Sequence, residues 1–395
     1  MTERREVLIT GVGLLTCLGE GLESAWHHLE RGGPPPYDGK SFAPYFVHPL
    51  PPINFDKQIP KRSDQRQMET WQRVGVYTAG LALSDAGIAG KPDLLDHTDM
   101  IVAAGGGERD LAVDTAILAG MHKAAEPAAF LNERLMSDLR PTLFLAQLPN
   151  LLAGNISLVH GVVGSSRTFM GEEAAGVDAV RVAQARIAAG QSELTLVGGS
   201  YHGARWDVLL AFELGSVALR GKFAPVWDRG PEGGIAFATI GAFLVLESRG
   251  HAEARGARAH ARISAVLSDR NLRQPGETET ALRRQWQKIA PQVDRAHAAV
   301  ISGAAGLEPA TSAERRVLDE IGLPVRNTGT YIGHGLDSQF LANLGIACAV
   351  IEHGKLFAPM GTGDVGESPP SLSQVVVTSV GNWRGEGLAL IERAD

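Results

Sequence analysis

Apolar runs that read as strands alternate along this chain with stretches of helical spacing, and no other feature of the sequence limits the fold as much. "EVLITGVG" (6–13) reads as a buried strand closing in glycines, and "GLESAWHHLERG" (21–32) follows with helical spacing and a terminal glycine. "WQRVGVYTAGLALSDAGI" (71–88) predicts an amphipathic helix, and "DMIVAAGGG" (99–107) a strand entering glycines. "GVDAVRVAQARIAAG" (176–190) places Val177, Val180, Val182 and Ile187 on or near one helix face and stops at Gly190. "ELTLVGG" (193–199), "GAFLVLES" (241–248), "AVISGAAG" (299–306) and "QVVVTSVG" (374–381) predict further strands. Such alternation predicts an α/β fold with strands covered by helices. Two loop-rich regions interrupt it, about 31–64, dense in proline, and about 108–155, expected to carry inserted helices. The strand-to-glycine turns at 193–199 and 374–381 echo each other across a break near 249–262.

The chain has 395 residues, 44% hydrophobic and 21% charged, ample for a large core. A net charge of −7, with no long basic run, gives no expectation of a nucleic-acid partner. Two cysteines, Cys17 and Cys348, make neither a disulfide framework nor a four-thiolate zinc site, and a reducing cytoplasm fits them. "MTERREVLITGVG" lacks the apolar core of a signal peptide, and no apolar run reaches the ~18 residues of a membrane span. The expectation is a soluble, cytoplasmic protein.

Few motifs carry chemistry. "VLITGVGLLTCLG" offers Gly11 and Gly13 after a strand, but Thr16 stands where a dinucleotide fingerprint needs its third glycine. A tight strand-to-loop turn accounts for it. There is no Walker A sequence, no HExxH and no GxSxG elbow, so neither a cofactor nor a metal is expected. His27 and His28 fall on a surface helix. "GSSRTFMGEEAAGVDAVRVAQARIAAGQSELTLVGGS" (164–200) differs, because a loop ends at 171–173, a helix starts there and runs to Gly190, and a strand follows. A thiol at such a buried helix start would be an activated nucleophile. Glu172 and Glu173 stand there instead, and the helix dipole by itself explains acidic residues in a first turn.

Several segments together resemble the β-ketoacyl-[acyl carrier protein] synthases of the thiolase-like superfamily, over nearly the whole length. "VLITGVGLLTCLGEGLESAWHHLERG" is similar to that family's opening, with Cys17 in place of a proline. "RQMETWQRVGVYTAGLALSDAGI", "GAFLVLESRGHAEARGARAHARI" and "GHGLDSQFLANLG" (333–345) match later segments. "AAGGGERD", "LRPTLFLAQLPNLLAGNIS" and "GSSRTFMGEE" look like a divergent subgroup of paired bacterial synthase-like proteins, associated with a specialised carrier protein and very-long-chain acyl groups of lipid A. The resemblance implies two similar α/β halves, about 1–250 and 251–395, stacked in alternating helix and sheet layers (αβαβα). It also implies a dimer, homo- or heterodimeric with a cysteine-bearing synthase, and an acyl carrier protein as partner.

The departures from the family matter as much. In that family a helix-start cysteine takes the acyl chain and two histidines polarise a malonyl thioester. Here the nucleophile position falls on Glu173. The segment "ISGAAGLEP" (301–309) holds no histidine where one is expected, at Ala304 or a neighbour, and the family's lysine falls at Gly329. His334 matches the second histidine. Asn382 replaces the gate phenylalanine, and Phe169 and Asn382 are expected at the acyl pocket and its gate. Without a thiolate the usual acyl-enzyme cannot form. Three readings follow. The chain is a non-condensing, chain-length-factor-like subunit; or an enzyme with altered chemistry, such as malonyl decarboxylation or Glu173/His334 acid–base catalysis; or an acyl-chain or acyl-carrier binding protein. Glu173 is expected to salt-bridge Arg167 or another buried base, or to cap its helix. Lys61, Arg62 and Arg66 are candidates for contact with an acidic carrier protein, against a solvated loop of mixed charge.

Overall fold

The structure is a computed structural model and describes residues 4–394. Its strands are β1 (Val7–Thr16), β2 (Gly19–Glu20), β3 (Val47–His48), β4 (Asp99–Ala103), β5 (Ser166–Phe169), β6 (Leu194–His202), β7 (Phe237–Ser248), β8 (Ala261–Asp269), β9 (Ala298–Ser302), β10 (Val325–Asn327), β11 (Gln374–Val380) and β12 (Glu386–Glu392). They form a 12-stranded sheet in the order β10-β9-β11-β12-β8-β1-β7-β6-β4-β5, with β2 on β1 and β3 on β7. The order has the same logic from either end. A parallel group, β5-β4-β6 or β10-β9-β11, is followed by antiparallel strands, β7-β1 or β12-β8. β6 and β11, whose sequences echo, hold matching places. Among the described residues the two groups of strands pair through Leu8↔Arg262 and Ile9↔Ala261.

Between the two groups run the helices Glu172–Ala188 and Gln339–His353, each touching strands of both groups. Outside one group lie Thr70–Asp85 and Leu151–His160; outside the other lie Glu277–Ile289 and Ala310–Ile321. The result is the layered α/β arrangement expected from the resemblance. The middle layer forms the main core, where Val177, Val180, Ala183 and Ile187 pack with Leu341, Leu344 and strand residues such as Ile9 and Val377. Burying a valine or isoleucine side chain contributes about 1.5–3 kcal/mol, so this layer supplies much of the drive to fold.

Two expectations need correction. The glycines of "EVLITGVG" do not end a strand: β1 continues to Thr16. Their reason is close packing. A Cβ on Gly13 would lie 2.1 Å from the Thr78 carbonyl oxygen, and one on Gly11 2.4 Å from that of Ala82. β6 likewise runs through Gly198 and Gly199 to His202. The helix Thr70–Asp85 is not amphipathic, since eleven of its residues, around most of its circumference, are buried. A helix sunk between a sheet and a second helix has no need of a polar face.

The two ends of the sheet differ. At β5, Ser166 and Arg167 are exposed. At β10 all three residues are buried, and the Val325 N–H donates to the Val365 carbonyl at 2.9 Å, so that edge is covered. The 108–155 region carries the helices Leu111–Met121, Pro127–Asp138 and Pro141–Ala146, and the start of Leu151–His160. Among the described residues no helix is long and apolar enough to cross a membrane.

Candidate functional site

β5 ends at Phe169, and within three residues the chain turns into the central helix at Glu172. Gly171 makes the turn at φ 118°, a backbone conformation that side chains resist. No side chain caps this helix start, so its free N–H groups and dipole favour negative charge there. Glu173 lies in this first turn at 2% exposure. Its Oε1 shares a hydrogen bond with His334 Nε2 at 3.1 Å, and the two side chains are 2% and 3% exposed. An ionised Glu173 can only accept, which would put an imidazole proton on Nε2; a protonated one would donate to it. Arg167 is exposed on β5 and is not the partner of Glu173; the buried base is His334.

The backbone fixes the imidazole. His334 N–H donates to Ala236 O at 2.9 Å, and its carbonyl accepts from Ala238 N–H at 3.0 Å, an isolated bridge against β7. Gly176 brings the central helix against the same turn, because a Cβ there would sit 2.3 Å from the Asp337 carbonyl oxygen. The turn therefore delivers Asp337 as well as His334 to the helix start. Asp337, 2% exposed, is held up to about 8 by burial and by the nearby Glu173 and Glu172 carboxyls. Sequence reasoning missed it, although it stands three residues past His334 in "GHGLDS".

Above Glu173 lies the turn Gly381–Gly385 between β11 and β12. A Cβ on Gly381 would be 3.2 Å from Glu173 Oε2. Asn382 is in this turn, and both of its side-chain polar atoms are buried without a hydrogen-bond partner among the described residues. So are Glu173 Oε2 and His334 Nδ1. Arg273, also missed, clamps the turn: its guanidinium bonds the Gly381 carbonyl, reaches that of Gly385 at 3.3 Å, and pairs with buried Glu386. Trp383 at the tip is 48% exposed and meets the Phe212 ring at 5.6 Å.

The other expected positions fall as follows. Phe169 is half-buried and packs on the main core. The segment after β9 presents no imidazole; the Ala304 carbonyl accepts from Asn327 Nδ2 at 2.9 Å, and a Cβ on Gly329 would lie 3.2 Å from that oxygen. Backbone and an asparagine thus occupy the neighbourhood where the family's histidine and lysine are expected. Glu172 diverges from Glu173. It lines a separate cleft of about 410 Å³ with Gly105–Gly107, Tyr201, Arg205 and Asp337. Lys61, Arg62 and Arg66 are exposed at the start of, and along, the short helix Arg62–Gln67. Neither cysteine can stand in as nucleophile: burial pushes the Cys17 thiol up to about 12 and the Cys348 thiol well above its usual range. Among the described residues no cluster of three or more His, Cys, Asp or Glu side chains is placed to hold a metal ion.

Chemically, the pair can hold or move a proton between a carboxylate and an imidazole. It offers no thiolate.

Comparison with known proteins gives this geometry a context. A family model described as the N-terminal domain of β-ketoacyl synthases matches residues 4–224. The chain is similar to 3-oxoacyl-[acyl-carrier-protein] synthase 2 of Vibrio harveyi, 26% identical over 66% of this chain and 62% of the relative. It is also similar to an oxytetracycline polyketide putative β-ketoacyl synthase 1 of Streptomyces rimosus, 24% identical over 74% and 68%. The match to the Vibrio harveyi protein thus spans less than two thirds of that relative's length. In fold it is similar to the ishigamide ketosynthase/chain length factor, with a TM-score of 0.81 at 19% identity, covering 99% of this chain and 100% of that one. It is similar also to a type II polyketide ketosynthase in complex with its acyl carrier protein, at TM-score 0.73 and 17% identity, covering 99% and 100%.

Proposed function

This chain belongs to the β-ketoacyl synthase family, and from that membership we propose that it is a non-condensing subunit, pairing with a cysteine-bearing synthase and shaping the partner's acyl pocket as a chain-length factor does. The observation that carries the reading is the buried Glu173–His334 pair at the start of the central helix, where condensation would require a thiolate. A carboxylate is a weak nucleophile toward a thioester and would yield a mixed anhydride. His334 Nε2 faces Glu173 Oε1 at 3.1 Å, so that nitrogen is engaged by the carboxyl and not free for a malonyl oxyanion. Loss of one such donor commonly costs about 10²–10³ in rate. A negative charge on Glu173 would also repel a malonyl carboxylate.

In this reading Glu173 is a retired nucleophile position turned into a structural lock between the central helix and the His334 turn. The fold shared with a ketosynthase/chain length factor supports pairing. The fold shared with a ketosynthase bound to its carrier protein supports an acyl carrier protein as partner. We assign the acyl class as very-long-chain, and the pathway as lipid A acyl synthesis in the cytoplasm, from the resemblance of the segments around 103–110, 139–157 and 164–173. Lys61, Arg62 and Arg66 would steer the acidic carrier.

The test is to incubate the purified chain with acyl- and malonyl-loaded carrier protein, alone and with the cysteine-bearing partner, and to follow products by mass spectrometry. No product alone, with more or longer product in the mixture than from the partner alone, is the expected result. Product from the chain alone, including decarboxylated malonyl carrier, would overturn the reading and make Glu173 and His334 the catalytic residues to mutate.

A further inference from the structure

The cleft beside the buried pair holds two carboxyls that its own side chains leave without an ion-pair partner. Arg205 is committed: its Nη2 donates to the Gly107 carbonyl at 2.7 Å, Nη1 is 3.8 Å from Glu108, and Nε is 3.1 Å from Asp207. Arg109 is bound in two places to Asp114, with Nη2 to Oδ1 at 2.9 Å. Glu173 faces His334. Two carboxyls remain. Glu172 is half-buried and makes no hydrogen bond or ion pair to any other described residue. Asp337 is 2% exposed, and its Oδ1 is buried without a partner among the described residues. A buried polar group without a partner is costly, and native structures rarely leave one so.

The cleft also has a definite address. Glu172 follows the exposed edge strand β5 by only three residues, and Met170 between them is 65% exposed. A second chain laid along the free edge of β5 would pass the rim of the cleft. Resting on the reading above, that this chain pairs with a cysteine-bearing synthase, we propose that the cleft receives a lysine or arginine side chain of that partner, with Glu172 and Asp337 as its counter-charges. A long side chain with a cationic head has the reach and the donors to satisfy two separate carboxyls at once. The seat would also fix which chain can lie on β5, because a partner with an acidic or short apolar residue at that point leaves both carboxyls unpaired.

The experiment is the affinity of this full chain for its cysteine-bearing partner, measured by analytical ultracentrifugation, for the wild type, Glu172→Gln, Asp337→Asn and the double variant. The expected result is a loss of about tenfold or more in the double variant. One lysine or arginine of the partner, replaced by alanine, should cost little further affinity once the carboxyls are neutral, the signature of direct coupling. If Asp337→Asn fails to fold, Glu172→Gln, at a half-buried position, must still weaken the complex. Unchanged affinity in the variants, with the wild-type chains associating, overturns this inference and leaves the pairing intact. Failure of the wild-type chains to associate overturns both.

Discussion

Removing His334 strands Glu173, and the size of the effect can be worked from the geometry. Were both groups charged, they would attract by about 5 kcal/mol at 3.1 Å and an effective dielectric of about 20. Withdrawing each ion from water costs several kcal/mol, so the intact pair is close to neutral in net stability. Breaking it is not neutral. His334→Ala leaves the Glu173 carboxyl at 2% exposure with no partner, which costs about 3–5 kcal/mol where it is ionised. Glu173→Gln keeps an acceptor for the Nε2 proton and removes the charge, so its cost is about 1 kcal/mol or less. Unfolding entropy of about 2.1 cal/mol/K per residue gives about 0.8 kcal/mol/K for a chain of 395 residues. The expected fall in Tm is therefore about 4–6 °C for His334→Ala and about 1 °C for Glu173→Gln. Scanning calorimetry on both variants and on the double variant Glu173→Gln/His334→Ala decides it. The double variant should recover most of the loss, because no charge is left stranded. Equal falls for the two single variants, or no recovery in the double, would refute the stranded-charge reasoning.

Other outcomes follow from the same structure. Asp337 has its pKa raised to about 8, so the folded state holds a proton that the unfolded chain gives up near pH 4; the isolated chain should lose stability as pH rises from about 4 to 8 and level off above, and Asp337→Asn should flatten that slope in denaturation curves at pH 5 and pH 8. Gly13→Ala places a methyl 2.1 Å from the Thr78 carbonyl oxygen and should destabilise by roughly 1–3 kcal/mol or prevent folding, read by urea unfolding. Arg273→Ala strips the clamp from the Gly381–Gly385 turn and leaves Glu386 buried without its cation, so hydrogen exchange at 381–386 should rise well above that of wild type. Charge reversal at Arg62 and Arg66 should weaken carrier-protein binding most at low salt; affinity indifferent to both would remove that helix from the docking surface.

The α/β character and the helix start at 171–173 were legible because they rest on local pattern: apolar runs, helical spacing, and glycines between them. The glycines misled at β1 and β6, where their role is to admit a neighbouring carbonyl or ring, a demand set by another element tens of residues away. The missing histidine near Ala304 could be read from the sequence as an absence. The bond between Glu173 and His334 could not be read from spacing, since 161 residues separate them and long-range packing, the β7 bridge and the Gly176 contact among it, brings them together. Arg167 suggested itself by proximity in sequence, but β5 is an exposed edge strand and Arg167 lies on its solvent side. Asp337 and Arg273 carried no local signal beyond their charge; their roles appear only once the turn and the gate are folded against the helix.

The unequal ends of the sheet set a rule for assembly. A strand edge is a coupling point, and a body with two of them can grow without limit, as filaments do. Here the backbone beyond β10 is already satisfied by the chain's own Val365, while β5 is open. The molecule has a valence of one along its sheet. Two copies joined edge to edge through β5 would leave only covered edges outside, and growth of the sheet would stop at two.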